Sequence, residues 1–495
     1  MMGPMSAAQP RSVQHPSPPV TPSWVPGVLV GLLGSLVLGV AMFTPGFLPT
    51  TSPVFGLLPI PLQTGQTAVV VGVLLSVLGW LLLRPEMCST RPINSWSVLG
   101  LWALPLLFVP PVMSNDPYLY ADQAWTVQQG ANPYLVGLSA LPGPYSDQVD
   151  GVWQGSTAVY PALHLITTWL AAGVTGFHPY WGVVAMRLPA VLGVVLLGLC
   201  LPRLARAAGV AVGPARWFCL LNPIVVVHQL GGAHNDALMV GLVAAALWWA
   251  VAGRWPLLGA PVLLGLAVAV KQPAALAGLG IALLIVQRLH HSSVDPDWRG
   301  WSAVVADARR CLLPVAVTAA VSILTLVAVS YALGFGLGWL YSLSTPGSVP
   351  SPAPVSVLTQ LGVPGAVALW LGRFVLAALV IGLLIRYGSR DPWRVLVGTM
   401  LALALTGAVL HGWYLAWGVC FFALARFGPM AERALVTVMI LMLVYLSMAE
   451  YIGIIPLLAQ ALIGFAVAIV LVQAAYVWPA FAGRMPISPP RADPA

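Results

Sequence analysis

The sequence predicts an all-α polytopic membrane protein, and three observations carry that prediction. Only 7% of the 495 residues are charged and 59% are hydrophobic, where a soluble chain of this size carries roughly a quarter charged. Apolar runs of about twenty residues, the length that crosses a hydrocarbon core, recur from Val25 to Pro479. Basic residues bracket these runs and seldom interrupt them. In lipid every backbone amide needs an internal partner, so the runs form helices. The period-two alternation of an outer-membrane barrel is absent.

Taken in order, the runs predict a bundle of about 14 spans, with a range of 11–15. They fall at 25–45, 66–83, 95–113, 180–201, 215–232, 237–253 and 257–270. The remainder fall at 273–288, 311–333, 363–385, 394–412, 413–425, 434–454 and 456–480. Residues 1–24 are rich in Pro and Ser, with one Arg and no apolar core. They read as a disordered cytoplasmic tail and not as a signal peptide. Residues 481–495 read as a second cytoplasmic tail, leaving 25–480 as one membrane domain.

The segment 158–174 is apolar enough to cross, but charge decides against it. If it crossed, Arg203, Arg206 and the later basic loops would face outward. Laid along the outer surface, it leaves 18 of the 21 basic residues in inner loops and none in an outer loop. That asymmetry sets the orientation, with both termini cytoplasmic in a plasma membrane. The net charge of +8 is thereby explained without nucleic acid. Five cysteines (Cys88, Cys200, Cys219, Cys311 and Cys420) show no paired spacing for a metal site or a disulfide framework. No internal repeat of the transporter type is evident.

Two long loops lie outside. The first, 114–180, holds no Lys or Arg but carries Asp116, Asp122, Asp147 and Asp150 among many aromatic residues. The second, about 335–362, is rich in Pro, Gly and Ser. Three cations remain in or beside spans: Arg187, Lys271 and Arg373. Each costs about 2.5–3.5 kcal/mol to insert near the bilayer centre. One reading is that they snorkel or pair with a buried carboxylate, and Arg373 is assigned to it. The other is that Arg187 and Lys271 grip an anion carried in the membrane, such as a lipid phosphate. Pro273 breaks the helix beside Lys271, which suits a cavity.

Asp116 and Asp236 come to the same outer face. An acid there beside membrane cations suits glycosyl transfer from a lipid phosphate: the carboxylate takes the acceptor hydroxyl's proton, and cations stabilise the departing phosphate. The alternative is that each carboxylate caps the helix it precedes. Asp122, six positions from Asp116 on another helical face, reads as solvated. Asp147 and Asp150 read as ordinary loop acids. His234 reads equally as a site residue or an interfacial hydrogen-bond donor. No recognised metal spacing joins Asp116, Asp122, His234 and Asp236, so no metal or other cofactor is expected.

Several stretches together resemble one family. Ser114-Asn115-Asp116-Pro117-Tyr118-Leu119-Tyr120 and Gly130-Ala131-Asn132-Pro133-Tyr134 resemble the first outer loop of actinobacterial polyprenol-phosphate-mannose-dependent α-1,6-mannosyltransferases. The run from Asn222-Pro223 through Gly232-Ala233-His234-Asn235-Asp236 continues the resemblance, as do Val270-Lys271-Gln272-Pro273 and Trp413-Tyr414-Leu415-Ala416-Trp417. The resemblance covers roughly 95–425. It implies a C-type glycosyltransferase (GT-C) fold with an outward-facing site and surface helices in the first outer loop. It also implies inverting transfer of mannose from a polyprenyl-phosphate-mannose donor to a lipid-linked glycan acceptor, extending the mannan backbone of lipomannan and lipoarabinomannan. Carried onto this sequence, Asp116 is the catalytic base and Lys271 and Arg187 hold the donor phosphate. Tyr120, Asn132, Tyr134, Tyr160, His234, Asn235, Asp236, Trp413 and Tyr414 bind substrate among membrane lipids. The chain departs from the family pattern at Val159-Tyr160-Pro161-Ala162, at Gly412 and at Asn115. Competing functions are arabinofuranosyl or protein-mannosyl transfer on the same fold, or movement of a polyprenyl-linked sugar across the bilayer.

Overall fold

The computed structural model describes residues 24–87, 93–290, 300–342, 351–451 and 457–477. The expected tails, Trp24 apart, and residues 343–350 of the second outer loop lie outside the described residues. Among those described there are helices and turns and no strand. Six helices are long and apolar enough to cross a membrane, or seven if Ile224–Gly231 and Asp236–Ala252, bent by 117°, form one broken span. This composition marks a membrane protein. The other expected spans fall on shorter apolar helices such as Val25–Ala41 and Pro392–Thr406, or on broken segments.

The breaks have local causes. Residues 215–232, expected as one span, divide into Val212–Cys219 and a π-helix over Ile224–Gly231. Asn222 Oδ1 accepts the Val225 N–H at 3.1 Å, and Pro223 has no N–H with which to continue the first helix. Residues 413–425, also expected as a span, form three short turns, Gly412–Leu415, Ala416–Val419 and Phe422–Ala425. The Trp413 carbonyl takes a bond from the Gln229 side chain at 3.2 Å. The segment ends on Arg426 in left-handed backbone (φ 47°). Both breaks border the site.

Close approach of two helices fixes its floor. Helix α1 (Arg187–Ala207) crosses α2 (Asp236–Ala252) with almost nothing between the backbones. A Cβ on Gly193 would stand 2.1 Å from the Ala237 carbonyl oxygen, and one on Gly241 2.3 Å from that of Gly193. Small residues at such a crossing are what allow backbones to touch in a membrane bundle. The first turn of α2, which begins at Asp236, is thereby pinned. Elsewhere Trp80 and Trp217 stack at 4.6 Å and exchange indole N–H bonds to each other's carbonyls. Arg84 and Glu432 form a buried ion pair at 3.3 Å.

Residues 114–180, expected as the first outer loop, fold into their own small layer. Helix Asp116–Gln128 packs on helix Ala162–Val174 around Tyr118, Tyr120, Tyr145 and Ala172. Asp122, expected in solvent, is only 2% exposed and lies inside this layer. The loop carrying Ser139 returns over it, and the Ser139 N–H donates to Asp122 Oδ2 at 2.9 Å. Asp147 is exposed as expected. Asp150 accepts from the Asn115 side chain at 3.2 Å and from the Val152 N–H at 3.0 Å.

Burial raises the Asp122 carboxyl to about 6, against an ordinary 3.8, despite the Ser139 N–H pulling it down. Between those values the folded chain binds more protons than the unfolded one, so stability falls as pH rises through that window. Asp122→Asn removes the buried charge and keeps an acceptor for Ser139. The expected result in detergent is a higher melting temperature near neutral pH and a flatter dependence across the acid window. The gain is at most about 3 kcal/mol. An unchanged pH slope would contradict burial of this charge.

Candidate active site

A cavity of about 490 Å³ lies between the layer of residues 114–180 and the helices packed against it, lined by Asp116, Gln123, Trp153, Tyr160, Lys271, Gln272, His411, Trp413, Tyr414 and Trp417 among others. Several of its polar wall residues reach it through a local irregularity in the chain.

Lys271 comes first because its backbone is the least regular. The helix Pro256–Val270 ends on it, and Lys271 is extended (φ −155°, ψ 129°) before the turn Gln272–Leu276 begins. Its Nζ donates to Asp236 Oδ2 at 2.7 Å and lies 4.9 Å from the Tyr414 ring centroid and 5.5 Å from that of Tyr160. Asp236 is fully buried, and its other oxygen accepts the Trp417 indole N–H. Asp236 therefore makes no helix-capping bond. Its charge is matched by lysine, which is what a carboxylate buried at this depth requires.

Asp116 opens the helix Asp116–Gln128 with Pro117 behind it. Its backbone N–H donates to Ser114 Oγ at 3.1 Å, and its side chain makes no cap. Instead Oδ2 accepts the Tyr120 hydroxyl at 3.1 Å and stands 3.3 Å from His234 Nδ1. No protein donor among the described residues is bonded to Oδ1. The side chain is 20% exposed, and it lines the cavity. Burial works to raise this carboxyl, while His234, Lys271 and His411 together lower it to about 2. It is a carboxylate at any working pH, with one oxygen held and the other free.

Behind it the aromatic rings form a column. Trp413 stacks on His234 at 4.0 Å and on His411 at 4.3 Å, and Tyr414 stacks on Trp417 at 4.5 Å. Tyr160 meets Tyr120 edge to face at 5.5 Å. Thus Asp116, Tyr120, Tyr160, Lys271, His234, Asp236, Trp413 and Tyr414 form one constellation. The other expected site residues stand apart from the cavity wall. Asn132 Oδ1 accepts the Tyr134 N–H at 2.9 Å, a turn bond. The Tyr134 hydroxyl donates to the Tyr160 carbonyl at 2.8 Å and so holds a residue that does face the cavity. Asn235 pairs with His164 at 3.2 Å. Arg187 is buried, and its Nη2 donates to the carbonyls of Pro110 at 3.1 Å and Gly231 at 2.7 Å. It ties the approach to Asp116 to the approach to His234. Arg373 lies 5.0 Å from the Trp370 ring centroid.

Sequence reasoning missed His411, Trp417, Gln272 and Gln123. Trp417 was signalled by its spacing of four from Trp413, which returns a ring to the same side. Gln123 is seven positions after Asp116, two helical turns along the same face. Nothing in the sequence marked His411. Among the described residues no three His, Cys, Asp or Glu side chains converge as a metal site. Chemically, the cavity offers a free carboxylate oxygen, a cation oriented by a buried acid, and aromatic walls of the kind that pack against sugar faces.

Comparison with known proteins agrees with that chemistry. Residues 28–287 match the family model described as alpha-(1->6)-mannopyranosyltransferase, N-terminal domain. The chain is 30% identical over 439 residues to a probable alpha-(1->6)-mannopyranosyltransferase of Mycolicibacterium smegmatis, covering 79% of this chain and 77% of that protein. It is 35% identical over 253 residues to alpha-(1->6)-mannopyranosyltransferase A of Mycobacterium tuberculosis, covering 50% of this chain and 46% of the relative. It is 25% identical over 441 residues to alpha-(1->6)-mannopyranosyltransferase B of Corynebacterium glutamicum, covering 79% and 71%. The matched region spans Asp116, His234, Asp236 and Lys271. This chain belongs to the alpha-(1->6)-mannopyranosyltransferase family.

Proposed function

We propose that this protein transfers mannose from a polyprenyl-phosphate-mannose donor to the 6-hydroxyl of a lipid-linked mannan acceptor, with inversion, at the outer face of the plasma membrane. The product is the α-1,6 backbone of lipomannan and lipoarabinomannan. The observation that carries the reading is one cavity holding a carboxylate with a free Oδ1 and a lysine oriented by a buried acid. About 14 spans in a GT-C arrangement, with cytoplasmic termini, form the scaffold in this reading.

The acceptor hydroxyl donates its proton to Asp116 Oδ1 as its oxygen attacks the anomeric carbon from the face opposite the phosphate. The C1–O bond to phosphate breaks, and polyprenyl phosphate leaves with one more negative charge than it carried as a diester. Lys271 meets that added charge. Its ammonium has three hydrogens and Asp236 accepts one, so donors remain for a phosphate oxygen. The low basicity of Asp116 fits this order of events. The arriving phosphate draws on the Lys271 charge that otherwise holds the carboxyl down, so Asp116 becomes more basic once the donor is bound. A ping-pong route through a glycosyl-enzyme would need a second carboxylate beside Asp116, and Asp236 is committed to Lys271 and Trp417.

With labelled polyprenyl-phosphate mannose and an α-mannoside acceptor, Asp116→Asn should lower transfer by about a hundredfold or more while donor affinity stays near wild type. Transfer at the wild-type rate would remove the base assignment. Labelled lipid changing leaflets in sealed vesicles without any product would instead favour a flippase. Lys271→Met should weaken the donor about tenfold or more and, by stranding the buried Asp236 carboxylate, lower the melting temperature as well. Undiminished donor binding would take the phosphate site away from Lys271.

A further inference from the structure

His234 sits where neither packing nor substrate contact accounts for it. The ring is completely buried, so it cannot touch a sugar in the cavity directly. It follows Ala233, which is held in left-handed backbone (φ 55°), a conformation costing a residue with a side chain about 1–3 kcal/mol. Space around it is tight, since a Cβ on Gly232 would stand 3.0 Å from the His234 ring. The turn brings Nδ1 to 3.3 Å from Asp116 Oδ2, close enough to pair with it although neither ring nitrogen has a hydrogen bond among the described residues. The parallel Trp413 ring at 4.0 Å stops the imidazole from rotating away.

We propose that His234 is the positioning residue for the Asp116 base: with Tyr120, it holds Oδ2 so that Oδ1 faces the acceptor hydroxyl. The assignment rests on Asp116 as base and adds how that base is aimed. The Tyr120 hydroxyl bond and the His234 approach both fall on Oδ2, which leaves Oδ1 as the unbonded oxygen of a residue that lines the cavity. The groups that face this pair are Tyr120 from the same helix, His411 beside Trp413, and Lys271 with its partner Asp236. His228 approaches the far side of the His234 ring, 6.1 Å between centroids.

Three variants of the full-length enzyme in detergent separate aiming from packing. His234→Asn keeps an N–H close to where Nδ1 stands and loses the stacked ring. His234→Phe keeps the stacked ring and loses the N–H. Ala removes both. Positioning predicts that Asn retains kcat within about threefold, while Phe loses about tenfold or more with little change in donor KM. Without its donor the Asp116 carboxyl rises, so the acid limb of kcat/KM moves up into the working range in Phe and stays below it in Asn. A Phe variant with wild-type kcat and pH profile, or an Asn variant as impaired as Phe, would overturn the proposal. Asp116→Asn measured alongside keeps the two ideas apart. An active Asp116→Asn enzyme defeats the base itself, whereas an inactive one beside a fully active Phe variant defeats the role of His234 alone.

Discussion

The ion pair between Lys271 and Asp236 is the contact around which the rest of the site is arranged. It joins the end of one membrane helix to the start of another at 2.7 Å, with both side chains almost wholly buried. Neither charge tolerates that position alone, since an uncompensated buried ion costs about 3–5 kcal/mol. Together they set three further features. Lys271 must leave its helix, which Pro273 permits. Asp236 must sit at the first turn of α2, which the glycine crossing with α1 secures. Trp417 must turn inward to give its indole N–H to Asp236, which draws residues 412–425 out of regular helix and brings Trp413 and Tyr414 into the wall.

The layer of residues 114–180 completes the cavity by different means. Its own core of Tyr118, Tyr145 and neighbouring residues makes it a unit, and Arg187 bonds backbone on both sides of the seam, at Pro110 and Gly231. The Arg187 Nη2, shared between two carbonyls, acts as a fastener, while its Nε and Nη1 have no partner among the described residues. The seam lies where the base and its histidine meet: Asp116 follows one fastened strand of chain and His234 the other. Chemistry placed there depends on two separately folded layers keeping register.

The sequence announced much of this through cost. An ionisable residue in an apolar run needs a reason, and that test picked out Lys271 and Arg187, although only Lys271 reaches the cavity. Charge asymmetry put Asp116 and Asp236 on one face, and both belong to the constellation. Long-range partners were not legible. Asp236 and Trp417 are separated by 181 positions, and no local pattern connects them. Asp122 was misread because helical position says which way a side chain points and nothing about a loop that folds back over it. The breaks within 215–232 and 413–425 were not legible for a related reason: hydropathy reports burial, and a broken segment wrapped around a site is as buried as a helix.

A double-mutant comparison at the ion pair tests the account most directly, reading thermal stability and donor binding together for Asp236→Leu, Lys271→Met and the two combined. The account predicts that Asp236→Leu alone loses both properties, because it strands a buried cation. The combined variant should regain stability and still fail to bind polyprenyl-phosphate mannose, because the phosphate's cation is gone. A combined variant that binds donor as well as the wild type would contradict it, leaving the pair as scaffold and the phosphate site elsewhere.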